Sequence, residues 1–373
     1  MDDWTFCRET LPKVSRTFAL NISVLRGELY RSILTAYLFC RTVDTIEDAA
    51  RLDPQIKIRL LHQFAELIQD PDYRGAQLKS WIQDCSHVDG ATNDLDLLSQ
   101  INRVFNIFDL LQENYQKQII PSVSTMARGM AYFQKGFNFD QFSLLENEDE
   151  LEEYCYFVAG TVGEMLCNLF LQEMPGLSSE SETVMKQTAV SFGLGLQMTN
   201  ISKDVVVDRG RGWSYIPKSF ITGNGLTVEE FNEGARVDKN MKVLEKLLHK
   251  TVGHLQDSLR FTIAIPRHHI CIRLFCIWPL WMAMETVAVL HNNESLLKSD
   301  DPVKISRKTV KRILRNTPWY ACSNRLLQNA FDNILRTGEL NHPPRFSLEN
   351  LKQRLSRLSW EQPVRMRMRS DSL

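Results

Sequence analysis

Asn200, Asp204 and Asp208 lie four residues apart in the stretch from Gln197 to Pro217. On a helix each step of four turns only about 40°, so an amide and two carboxylates line one face. A row of hard oxygens of this kind suits Mg²⁺ held jointly with substrate phosphates. Lys203 sits inside the row, and Arg209, Arg211 and Tyr215 follow it closely. These are donors that grip phosphate oxygens. Acid beside base makes chemical sense if a metal-bound polyanion lies between them.

A second acidic element, Asp44-Thr-Ile-Glu-Asp48, stands far upstream, with Tyr37 and Arg41 in the turns before it. A lone D-x-x-x-D is usually a solvated helix face. Both copies here are flanked by apolar residues: Leu38, Phe39, Val43, Ile46 and Ala49 around one, Val205, Val206 and Val207 within the other. Carboxylates on largely apolar helices face a polar cavity or a metal, because burying them unpaired is costly.

With Ser15-Arg-Thr-Phe-Ala19 and Tyr154-Cys-Tyr-Phe-Val-Ala-Gly-Thr-Val-Gly163 added, the chain resembles the squalene/phytoene synthase family of head-to-head prenyltransferases. The two aspartate elements resemble that family's diphosphate–Mg²⁺ motifs, and the other two resemble its N-terminal and central motifs. The resemblance runs over about residues 5 to 320. It implies an all-α fold, a single helical bundle around a central cavity with the aspartate motifs facing each other across its mouth. Residues 1–345 would form this catalytic domain, and 346–373 a short helix and a frayed basic tail.

The resemblance further implies that two molecules of farnesyl diphosphate condense head to head through presqualene diphosphate, which NADPH then reduces to squalene. An unreduced dehydrosqualene or phytoene product and a non-catalytic helical scaffold remain the alternatives. Asp44, Asp48, Asn200, Asp204 and Asp208 are the implied Mg²⁺ ligands. Ser15, Arg16, Tyr37, Arg41, Gln197, Lys203, Arg209, Arg211 and Tyr215 are the implied polar substrate contacts. Phe18, Val158, Ala159, Val162, Gly163 and Leu196 are the implied apolar wall, which keeps water from an allylic cation. On spacing alone, the small residues Ala159, Gly160 and Gly163 serve helix packing as well as a wall; the resemblance favours the wall. Tyr154 would assist proton loss or steer the cation, the alternative being a buried tyrosine bonded to a carbonyl.

No G-x-G-x-x-G is present, so a Rossmann nucleotide site is not expected. The basic run Lys304, Arg307, Lys308 and Lys311 follows Asp300 and Asp301 and contains no acid. It reads either as a solvated helix start or, at Lys304, Arg307 and Lys308, as the grip on NADPH phosphates. Val303–Lys308 and Leu274–Pro279 resemble squalene synthases more than phytoene synthases.

The elements that must hold these residues are helical. Gly 17 and Pro 13 are sparse in 373 residues, and 43% hydrophobic with 24% charged residues is ordinary for a chain with a sizeable core. A formal net charge of −1 carries no nucleic-acid signature. Eight scattered cysteines without a C-x-x-C pair fit reduced thiols and a cytoplasmic setting. The N-terminus has no secretory pattern. Leu274–Met284, between Arg273 and Glu285, is too short an uncharged run to span a bilayer, and no membrane anchor is expected at the C-terminus. The expectation is a cytoplasmic protein, peripheral to a membrane where product is released.

The pattern predicts two helices over Trp4–Ala50 broken near Leu25–Glu28, and a helix from Asp53 to Gln69 with an Asp53 cap and Pro54 at its first position. It predicts an irregular polar excursion over 72–95, then helices over 97–111, 112–133, 148–172, 180–208, 228–252, 254–265, 269–291 and 348–358.

Overall fold

The structure, a computed structural model, describes residues 2–136, 142–298, 303–338, 340 and 346–360. The chain opens with α1 (Asp3–Val14), α2 (Arg16–Ile22) and α3 (Gly27–Asp48). One break is where the sequence places it, before Gly27, whose φ of 60° suits a residue without Cβ. The other falls at Ser15, extended at φ −156°, whose Oγ accepts the Phe18 N–H at 3.2 Å and caps α2. Asp53 caps α4 (Pro54–Gln69), accepting from the N–H groups of Gln55 and Ile56.

Residues 72–95 are not the irregular excursion that their polarity suggests. The Asp-Pro device recurs at Asp70-Pro71 and starts α5 (Pro71–Asp84), where Asp70 accepts from Asp72 and Tyr73. Trp81 is buried there and donates to the Leu60 carbonyl at 3.0 Å, while Arg74 pairs with Asp109. A tight turn at Cys85–His87 leads to α6 (Thr92–Ser99) and α7 (Ile101–Phe108). Composition misled at this point because one buried face suffices to dock a helix whose remaining surface is polar.

α8 (Glu113–Gln134) absorbs Pro121 within its length. The expected continuous helix 148–172 is α9 (Glu148–Cys155) and α10 (Thr161–Gln172) joined by a π-helical turn at Tyr156–Gly160. Such wide turns re-aim side chains and collect at functional sites. Phe157 on this turn fits where Gly129 of α8 has no side chain; a Cβ there would sit 2.1 Å from the ring. Next come α11 (Ser179–Lys203) and α12 (Val205–Gly210), interrupted at Asp204. α11 crosses α10 at very short range, since a Cβ on Gly163 would lie 2.2 Å from the Ala189 carbonyl oxygen. β1 (Ser143–Leu144), before α9, pairs in parallel with β2 (Trp213–Ser214), which follows the second aspartate motif.

The remaining elements are α13 (Lys218–Gly223), α14 (Val228–Asn232), α15 (Val237–Ala264), α16 (Ile270–Leu290), α17 (Ser295–Lys298), α18 (Arg307–Ala321), α19 (Asn324–Thr337) and α20 (Leu348–Leu355). α15 runs unbroken past Val252, where two helices were expected. The interruption lies earlier, at Arg236, held at φ 53°. α16 is long and apolar enough to cross a membrane, as is 148–172, but 72% and 56% of their apolar windows are buried inside the fold. The short uncharged run 274–284 thus lies within a 21-residue helix whose apolarity serves the core.

Two apolar clusters build the interior, one chiefly from α1 to α8 and the other from α11 to α20. Val24, Val158 and Phe192 pack against both while staying only half-buried, which marks a seam between the clusters. Residues 346–360 pack on the same body: Phe346 meets the His254 ring at 4.8 Å and Trp360 meets Phe157 at 5.3 Å. The basic tail expected after Arg365 lies outside the described residues.

Candidate active site

α3 carries the first aspartate element to the seam. Its apolar face is fully buried through Leu38, Phe39, Val43 and Ile46, so Asp44 and Asp48 emerge on the opposite side. α11 and α12 bring the second element to meet it. The guanidinium of Arg211 spans the two, with Nη1 3.8 Å from Asp48 and 3.9 Å from Asp208. Elements about 160 residues apart in sequence therefore converge on one side chain. Asn200 is exposed, Asp204 half-buried and Asp208 buried, so the row descends into the protein across the break at Asp204. Lys203 donates to Asn200 Oδ1 at 2.8 Å and lies 3.3 Å from Asp204.

The electrostatics at this mouth are out of balance. Burial pushes Asp44 up to about 7; Arg41 opposes the shift, and Asp48 and Asp94 add to it. Asp208 is also pushed up to about 7, by burial and then by Asp204, with Asp48 adding to it. Burial raises Asp48 too, against the pull of Arg211, Arg41 and Lys57, although its side chain is half open to solvent within the mouth. Among the described residues, the carboxylates of Asp44, Asp48 and Asp208 accept no hydrogen bond. Hard oxygens crowded together and short of positive charge fit divalent cations. No three acidic, His or Cys side chains among the described residues are gathered into a preformed cage. That suits Mg²⁺, which is held by one or two carboxylates and completed by substrate phosphates.

Behind the mouth lies a buried polar cluster, of which the sequence singled out Tyr154 and Tyr215 but not Lys57 or the inward side of Glu47. Tyr154 is 2% exposed and stacks on Tyr215, with ring centroids 4.4 Å apart and planes 16° apart. Both phenols are raised well above their ordinary value, first by burial and then by Glu47. Glu47 belongs to the first motif but turns inward at 4% exposure, and Lys57 donates to its main-chain carbonyl at 2.8 Å. Lys57 is itself 2% exposed. Its position at the first turn of α4, facing inward, was the only sequence trace of it. Tyr215 is fixed by the β1–β2 pair and by Lys218 N–H donating to the Leu145 carbonyl at 2.8 Å.

The N-terminal motif reaches the same place. Phe18 and Tyr37 rings lie 5.0 Å apart, and burial pushes the Tyr37 hydroxyl up to about 12, with Ser15 opposing the shift. Phe18 is 36% exposed and Arg16 is exposed, as residues at an opening should be. Val158, Ala159, Val162, Leu196 and Gln197 are half-buried along the seam.

Other sequence-predicted residues are placed differently. Gly163 does not line the wall: it is buried at the crossing with Ala189, so its small size serves helix approach. Arg209 turns away from the mouth. Its guanidinium stacks 4.1 Å over Phe231 and reaches Asn240 at 3.5 Å, and burial alone lowers it to about 10. Adjacent helical residues diverge by about 100°, so Asp208 and Arg209 cannot share a face. Arg41 spends two nitrogens on Asp94, at 2.9 and 2.6 Å, leaving Nη1 for the mouth. Asp94 comes from α6, within the stretch expected to be irregular. Lys304, Arg307 and Lys308 are exposed at the start of α18, where Ser306 caps the helix. Among the described residues they form no hydrogen bond or ion pair with the mouth, although α17, just before them, packs on α12.

A family model described as squalene/phytoene synthase matches residues 11–309. The chain is 29% identical over 320 residues to the squalene synthase of Eremothecium gossypii, covering 85% of this chain and 68% of the relative. It is 30% identical over 320 residues to that of Cyberlindnera jadinii, with 85% and 68% covered, and 29% over 294 residues to that of Bos taurus, with 78% and 64% covered. The matches thus span about two-thirds of these relatives' length. Among solved structures, a ligand complex of TcSQS superposes with a TM-score of 0.75 at 23% identity over 95% of this chain and 96% of the other. A dehydrosqualene synthase gives 0.55 at 21% identity over 85% and 96%. At these identities the structural likeness speaks for the fold.

Proposed function

The chain belongs to the squalene/phytoene synthase family, and from that premise we propose that it is a squalene synthase. It would join two farnesyl diphosphates head to head and reduce the presqualene diphosphate so formed with NADPH. The observation that carries this reading is the convergence of Asp48 and Asp208 on Arg211, which sets two aspartate elements opposite each other over an apolar seam. The choice of squalene over an unreduced hydrocarbon rests on the relatives' names.

Asp44, Asp48, Asn200, Asp204 and Asp208 would hold Mg²⁺. When bound, the ion supplies positive charge that steadies the departing diphosphate. Arg211 and Lys203 stand where that diphosphate gathers charge, and they contribute charge-assisted hydrogen bonds. One C–O bond breaks, and the allylic cation is attacked by the double bond of the second substrate. Loss of a proton then closes the cyclopropane. Val158, Ala159, Val162 and Leu196 exclude water during the lifetime of the cation. The raised Tyr154 phenol stays neutral, so it acts as a hydroxyl that steers the cation or relays the proton, not as a phenolate. Lys304, Arg307 and Lys308 are the residues suited to NADPH phosphates.

The test is the hydrocarbon formed from farnesyl diphosphate with Mg²⁺, with and without NADPH. Squalene should appear only with NADPH, and presqualene diphosphate should accumulate without it. Dehydrosqualene formed regardless of NADPH would move the chain to the non-reductive branch. No release of pyrophosphate at all would leave a helical scaffold.

A further inference from the structure

We propose that the outward face of α18 docks on an anionic phospholipid surface. The helix reads Arg-Lys-Thr-Val-Lys-Arg-Ile-Leu-Arg-Asn-Thr-Pro-Trp-Tyr-Ala and contains no acid. Ile313, Thr317 and Ala321 are buried against α16, and the Trp278 indole donates to Thr317 Oγ1 at 2.9 Å. That contact fixes which side looks outward. Lys311, Arg315 and Trp319 follow at intervals of four and form one stripe about 80° wide, opposite the buried residues. All three are exposed, and Trp319 is the most exposed large hydrophobic side chain described, at 74%. Arg325 and Leu326, at the start of α19 just after the turn, are exposed too.

The charge on this face is uncompensated. Arg312, on the flank, pairs with Glu285 at 2.6 Å. Among the described residues, Lys311 meets no acid, and Arg315 reaches only its neighbour Asn316 at 3.4 Å. Unpaired cations in a chain of net charge −1 are a local asymmetry and call for a negative partner. A basic amphipathic helix with an indole beside its cations matches the interface of an anionic bilayer. There the ring sits at headgroup depth and the cations meet lipid phosphates. A second copy docking by the same face would set cation on cation. One indole at the end of the stripe offers no series of stacking platforms for single-stranded nucleic acid.

The experiment is co-sedimentation of the full chain with vesicles of phosphatidylcholine alone and of phosphatidylcholine with phosphatidylglycerol, at low and raised salt. Binding should require the anionic lipid and weaken with salt. Lys311→Glu with Arg315→Glu should weaken partition about tenfold or more, and Trp319→Ala severalfold. Pyrophosphate release in detergent should stay at the parental rate in both variants, showing that the fold is intact. Equal uptake by both vesicle types, or undiminished uptake of the double variant, would overturn the proposal. Capture of the parent by an acidic polypeptide with no uptake by vesicles would place a protein on this face instead.

Discussion

Two acidic regions of this molecule look alike in sequence and are treated in opposite ways by the fold. At the start of α9, Glu148, Asp149, Glu152 and Glu153 are clasped by cations from distant elements. Lys250 lies 2.7 Å from Glu148 and 2.5 Å from Glu152; Arg354 lies 3.2 Å from Asp149 and 3.1 Å from Glu153, and also bonds Glu152. At the mouth, among the described residues, Asp48 and Asp208 each come within ion-pair reach of Arg211 alone, at 3.8 and 3.9 Å, and Arg41, beside Asp44, is turned toward Asp94. The α9 acids are satisfied and hold the C-terminal helix in place. The mouth acids are left wanting, and a charge deficit maintained in a folded protein is a place for a cation to bind.

The sharpest way to break this comparison is to remove one acid from the mouth. Asp204→Asn should lower pyrophosphate release roughly 10³-fold or more, about 4 kcal/mol of transition-state stabilisation, with thermal stability unchanged or slightly higher. Near-parental turnover would end the metal assignment.

The converse change removes a cation from α9. Arg354→Ala should destabilise the fold by about 2 kcal/mol, because the buried carboxylates of Glu152 and Glu153 lose a partner. Turnover measured well below the melting point should change little. A variant as stable as the parent would show the α9 pairs to be ornamental.

A smaller effect belongs to the tyrosine pair beneath the mouth. Tyr154→Phe should fold normally and slow formation of presqualene diphosphate about tenfold or more, with little change in substrate affinity. An unchanged first-half rate would leave Tyr154 a packing residue stacked on Tyr215.

The smallest expected effect separates the two regions by pH. Asp44 and Asp208 sit at about 7 in the fold against 3.8 ordinarily, so the folded chain keeps protons that the unfolded chain has lost. Their contribution to stability is full below about pH 4 and fades as pH rises through about 7. Mg²⁺ competes with those protons, so it should raise the Tm clearly above about pH 8 and hardly near pH 5. An equal rise at both pH values, or one that survives Asp204→Asn unchanged, would point to binding elsewhere.

Much of this was legible in the residues. Four-residue spacing grouped Asn200, Asp204 and Asp208 as one acidic row, though not the break at Asp204 or its descent into the protein, and Asp53-Pro54 announced the start of α4. The same rule, applied at Asp70-Pro71, would have found α5. What stayed hidden involved partners distant in sequence. Nothing near Arg41 announces Asp94, and nothing near Glu153 announces Arg354. Small-residue spacing could not separate a wall from a crossing, and at Gly163 the carbonyl of Ala189 decided for the crossing.

The sequence by itself determined the helices, their caps and the faces on which chemistry is presented, because these depend on neighbours within a turn or two and on the 3.6-residue period. Only the tertiary structure decided which charges were to be neutralised and which left exposed to one another. Arg209 and Arg211 are two residues apart and equally basic in sequence. One is spent on Phe231 and the other reaches the aspartates, because a helical step of two points them to different surroundings, and the strength of a charge in a protein is set by those surroundings.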